Sequence, residues 1–220
     1  MKTPRITVVG EASRWAPADH ADVSFTIVRR STDSSEALRA AGEAYTALDG
    51  VLMNHRDVVV HRITTALGVR EVTRWEEGRT IHEGFEAGRT ETVRFAPVAE
   101  GSQVLQAVLT GVSDLFVSAA NFGLAPSNPV RHDVRADAAS AARSAAEAYA
   151  AGLGLTLGGV LSLHEPGTVD HSVDPFDSEP VLGMAKSMSF GGDESGPTLA
   201  ELTDEDVEVQ ARIVVAFALG

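Results

Sequence analysis

The sequence predicts an α+β fold: antiparallel or mixed sheets packed against helices, built on a ferredoxin-like split β-α-β unit that a long alanine-rich helix and C-terminal strands extend or duplicate. Three observations carry that expectation. Between Ala21 and Leu124 the hydrophobic period switches between two and about 3.6, in the order strand, helix, strand, strand, helix, strand. Residues 129–153 are dense in alanine without an interior proline, as a long helix requires. Near the C-terminus, Val207, Val209, Ala211, Ile213, Val215, Phe217 and Leu219 alternate almost without fault, the signature of a strand with one buried face.

The elements follow in order. Ile6 to Glu11 reads as a short strand, and Trp15-Ala16-Pro17-Ala18-Asp19 as a turn that pairs it in a hairpin with the next strand. In that next strand Ala21, Val23, Phe25 and Ile27 alternate with polar residues. Ser31 to Glu36 offers N-cap side chains and an acid in the first turn, where it meets the positive end of the helix dipole. Ala37, Ala41, Ala44, Leu48, Val51 and Leu52 then form one apolar helical stripe. Val58 to Trp75 and Thr80 to Phe95 are the arms of a long hairpin turned by Glu76-Glu77-Gly78. Val98 to Val112 predicts a short amphipathic helix, Val112 to Leu124 a strand, and Val160 to Leu163 another. Pro129 suits the first turn of the alanine-rich helix, and Gly152 or Gly154 its end. The chain is read as one domain over residues 1–220, with a β-α-β-β-α-β part at 21–124 and a long helix plus strands at 125–220.

Residues 166–203 hold neither period and collect four prolines, glycines, serines and acids, the composition of a mobile loop. Charge concentrates in the same place. The chain carries a net charge of -13, yet Pro166 to Glu208 alone holds eleven acids against the single base Lys186. The acidity keeps that loop solvated and leaves the body nearly balanced. Nucleic-acid binding and a basic membrane anchor are disfavoured. With no cysteine there is no disulfide framework, thiolate nucleophile or Cys-ligated zinc. The first ten residues hold too few apolar positions for a signal h-region or a span, so a soluble, cytoplasmic protein is expected.

Several stretches together resemble the SIMPL domain family, a YggE-like group of unknown function. They are Ile6-Thr7-Val8-Val9-Gly10-Glu11 with Pro17 and the strand from Ala21, and Gly84-Phe85-Glu86-Ala87 leading to Val93. Phe122-Gly123-Leu124 before a helix, then Ala142-Arg143, Ala146-Glu147, Ala150, Gly154, Leu157-Gly158 and Val160, complete the likeness. The chain departs from the family pattern at Ala12, where a second glycine is usual, and at Ala141, where the family has an aspartate. The resemblance implies a homo-oligomeric bacterial protein with a part in envelope or stress physiology. Many relatives carry a secretion signal.

No catalytic set assembles from the motifs. His20, His55, His61, His82, His132, His164 and His171 are scattered without zincin spacing, and Gly111-Val112-Ser113-Asp114-Leu115 has half of a nucleophile elbow. The glycines at 152, 154 and 158 follow a helix and precede a strand, the reverse of a dinucleotide loop, and read as a cap and a turn. Asp170, His171, Asp174 and Asp177 form the densest set of candidate cation ligands, though a solvated acidic loop explains them without a metal. Trp15 and Trp75 are expected to pack inside the subunit, with partner contacts as the alternative. No catalytic residue and no cofactor is assigned. The reading that follows is a non-enzymatic homo-oligomer. Its alternatives are a small-ligand binder or enzyme with a pocket between sheet and helices, where Arg62, His82 or Glu91 converge, and an adaptor whose acidic loop docks on a basic protein.

Overall fold

The computed structural model describes residues 4–166, 202 and 205–220. The described residues form two antiparallel sheets, each covered on one face by helix. Strand β1 (Arg5–Pro17) begins the first layer and β2 (His20–Ser31) the second. Helix α1 (Ser34–Asn54) follows, capped where the Asp33 side chain accepts from the Glu36 amide. Next come β3 (Val59–Thr64), β4 (Gly68–Glu76), β5 (Arg79–Phe95), α2 (Val98–Gly111) and β6 (Leu115–Gly123). Helix α3 (Pro129–Gly152), β7 (Leu157–His164) and β8 (Asp206–Leu219) return the chain to the first layer.

The larger sheet has the order β3-β5-β2-β6, with β4 continuing along β5 beyond β3. This is the split β-α-β arrangement expected from the sequence, since β5 lies between the two strands that α1 connects. Its core is the inward row Ala21, Val23, Phe25 and Ile27 of β2 with Val93 and Phe95 of β5, packed under Leu48 and Leu52 of α1 and Val104, Leu105 and Val108 of α2. Phe25 and Phe95 meet edge to face, with centroids 6.3 Å apart.

The smaller sheet has the order β1-β8-β7. Val134, Ala138, Ala142 and Ala146 of α3 lie on Val207, Val209, Ile213 and Val215 of β8 and Val8 of β1. Alanine serves here because the helix approaches the sheet closely. A methyl added at Gly10 of β1 would drive into the Ala138 carbonyl and the Ala142 side chain.

Two expectations about these strands fail. β1 does not form a hairpin with β2: it pairs along its whole length with β8, from Arg5 opposite Ala218 to Pro17 opposite Asp206. The short turn is real, but it carries the chain from one layer to the other. The Val58–Trp75 arm is not one strand either. It breaks at residues 65–67, and β3 and β4 pair separately with β5. Of the two expected roles, extending or duplicating the first layer, the alanine-rich helix and last strands take the second and build a layer of their own, and among the described residues every strand pairing is antiparallel.

Candidate functional site

Four places bring polar or exposed side chains together. The first is the junction of the layers. Asp19, in the link between β1 and β2, accepts from the Ala125 amide at 2.8 Å and from Asn128 Nδ2 at 3.2 Å, while His20 Nδ1 lies 2.6 Å from its Oδ1. Burial alone would push this carboxyl up, but the Ala125 amide, His20 and Asn128 hold it below its ordinary 3.8. Arg131 of α3 donates to the Leu124 and Ala125 carbonyls. Each partner is consumed in tying the β6–α3 connection to the β1–β2 link, so the junction is a lock.

The second lies between α1 and the large sheet. Glu91 of β5 occupies a core-facing position and is 1% exposed. Arg62 of β3 donates through Nε to its Oε1 and through Nη1 to Asp49 of α1 at 2.8 Å. Burial opposes the Arg62 charge, yet the two carboxylates hold its pKa above the ordinary value. The Arg89 guanidinium stacks on the Tyr45 ring, whose hydroxyl is pushed up by burial and by Glu91. The structure thus brings together Arg62 and Glu91 of the expected trio but not His82, which pairs with Glu71 at 2.7 Å on the β4–β5 hairpin. Arg62, Glu91 and Asp49 form an ion-pair network under α1 that leaves Glu91 Oε2 without a hydrogen-bond partner.

The third is the opposite face of the same sheet. Strand alternation turns Asp22, Ser24, Thr26, Val28 and Arg30 of β2 away from the helices. They stand opposite Arg94, Thr92, Thr90, Gly88 and Glu86 of β5. Asp22 and Arg94 form a bidentate pair at 2.7 and 2.8 Å. Ser24 and Thr92 meet at 2.9 Å, and Thr26 and Thr90 at 3.1 Å. At the far end Glu86 lies between Arg70 of β4 and Arg30, and those hydrogen bonds, Arg70's first, hold it below its ordinary 4.5. A cleft of about 340 Å³ opens there between β2, β5 and the β3–β4 link.

The fourth comprises exposed apolar groups. Trp15 is 65% and Trp75 70% exposed, so the expectation that they pack inside the subunit is overturned. Trp75 stands near the tip of a hairpin that leaves the sheet, with no helix over it to cover the ring. Trp15 is on the face of β1 away from α3. Val160, Leu161 and Leu163 of β7 are each more than half exposed. The candidate cation ligands Asp170, His171, Asp174 and Asp177 lie outside the described residues, as does nearly all of the acidic loop. Among the described residues no group of three or more metal-ligating side chains gathers. No described helix is long and apolar enough to cross a membrane.

The fold and these sites define an α+β protein of two helix-covered antiparallel sheets, with polar side chains engaged largely in structural pairs. The chain matches the family described as SIMPL, protein of unknown function (DUF541), over residues 6–217, and it belongs to that family. None of the curated proteins compared with it matches.

Proposed function

We propose that this SIMPL protein is a non-enzymatic, homo-oligomeric component, with β7 as its assembly edge and a part in stress physiology. The supporting observation is the composition of that edge. Among the described residues β7 is the outer strand of its sheet, and from Leu157 to Leu163 it carries no charge while leaving Val160, Leu161 and Leu163 exposed. Edge strands otherwise carry charges that deter pairing. The opposite edge, β1, holds Arg5, Glu11 and Arg14, and β3–β4 carries several arginines and glutamates. The large sheet's other edge, β6, is also uncharged, but exposes one large apolar side chain, Phe116. A second copy suits β7 because antiparallel self-pairing sets neutral residues against neutral residues and buries the apolar row twice.

Light scattering after size exclusion tests the reading. A particle at a multiple of the 23.1 kDa chain mass is expected, shifting toward the monomer in the double variant Val160→Lys, Leu163→Lys. Both positions are exposed, so the subunit retains its fold, which circular dichroism checks. A wild-type protein that is monomeric at micromolar concentration, or an assembly that both lysines leave intact, overturns the proposal.

A further inference from the structure

We propose that the cleft on the helix-free face of the large sheet is a binding site for a small monocarboxylate with a short apolar body. The floor is made by Val28 of β2 opposite Gly88 of β5, where the glycine lets the two backbones approach closely, since a Cβ there would meet the Ile27 carbonyl. The walls are Thr26 and Thr90 on one side, and Thr65, Ala66, Gly68 and Val69 of the β3–β4 link on the other. That link is held in place by the Thr65 amide donating to the Thr90 carbonyl at 2.9 Å and the Thr90 amide donating to Thr65 Oγ1 at 2.9 Å. The break in the long hairpin arm, unexpected from the sequence, is what forms this wall.

The chemistry of the mouth selects the ligand class. Glu86 has a side chain 12% exposed and is recessed between two guanidiniums that are mostly exposed, Arg30 at 70% and Arg70 at 73%. Arg70 uses Nε and Nη2 on Glu86 Oε1, at 2.9 and 2.7 Å, and Arg30 uses Nε and Nη2 on Oε2, both at 3.0 Å. The carboxylate therefore orients both arginines while neutralising one of them. Arg89 also lines the cleft, but its guanidinium lies on the Tyr45 ring of α1; at the mouth Arg30, Arg70 and Glu86 leave one net positive charge, which suits one negative charge better than the two of a phosphate monoester. A planar guanidinium with N–H groups to spare can hold a carboxylate through two parallel hydrogen bonds. A volume of about 340 Å³ is at the small end of ligand pockets, which run from about 300 to 1,000 Å³. The site is separate from the β7 edge, and its occupancy does not depend on the proposed assembly.

The test is an amide NMR titration of the 220-residue chain with sodium benzoate, and in parallel with sodium phosphate at matched ionic strength. Benzoate is expected to give saturable shifts confined to Thr26, Val28, Thr65, Gly68, Arg70, Gly88 and Thr90. Arg70→Gln, at an exposed position, is expected to weaken binding roughly tenfold, the effect of losing one charge-assisted hydrogen bond. Val28→Phe, which fills the hollow without altering charge, is expected to abolish the shifts. Absence of saturable shifts at these amides, shifts unchanged in Arg70→Gln, or tighter binding of phosphate than of benzoate overturns the proposal.

Discussion

Asp19 shows how much one side chain can hold. It accepts from a main-chain amide and an asparagine beyond the end of β6, and its buried neighbour His20 lies against Gly123. Replacing Asp19 by alanine leaves the Ala125 amide without its acceptor and is expected to cost about 1–3 kcal/mol in urea unfolding at neutral pH. The pH dependence has a definite sign. Asp19 and Glu86 both titrate below their ordinary values in the folded chain. Their contribution is complete above those ordinary values and drains away as pH falls through the depressed ones, so stability drops on the acid side. Asp19→Asn is expected to flatten that acid limb, measured as unfolding free energy against pH; an unchanged limb would show that Asp19 does not supply it.

At the scale of the element, the β4–β5 hairpin is lightly supported toward its turn. In its far half most of the side chains are exposed. Its turn places Glu77 at φ 47° and Gly78 at φ 82°, the two positive angles of a type I′ turn. Glycine adopts that region freely, whereas glutamate is strained there and asparagine much less so. Glu77→Asn is expected to favour the turn by about 1 kcal/mol, slowing amide exchange of residues 74–81 about fivefold without changing global stability. Exchange that is unaltered would mean the turn does not limit opening of the hairpin.

At the scale of the molecule, the two layers differ in how far apart in sequence their partners lie. The large sheet is assembled from residues 20–123, whereas the small sheet pairs β1 at the beginning of the chain with β8 at its end. Closing that loop first would cost more chain entropy than closing it after the large sheet has drawn β1 and α3 together. Protection of the β2 and β5 amides is therefore expected before that of β1 and β8 in pulse-labelled refolding. Simultaneous protection of both layers would count against this order. In the native state the layers share Ala18 and Phe122, which pack against both cores, so equilibrium unfolding is expected to be a single transition.

Much of the architecture is local and was written in the sequence by itself. Alternation in β2, β5 and β8, the cap before α1 and the proline and alanines of α3 determine elements wherever their partners lie, because period and capping act within a few residues. The position of Glu91 had a signal too, since it shares its strand face with Val93 and Phe95. Tertiary structure alone decided which strand β1 joins, because β2 and β8 both alternate and the choice depends on what returns from the far end of the chain. It also decided that Trp15 and Trp75 stay exposed, since burial needs a covering element that composition does not reveal. The cleft depends on it most: Thr26, Arg70, Glu86 and Thr90 are unremarkable strand residues until register sets them side by side.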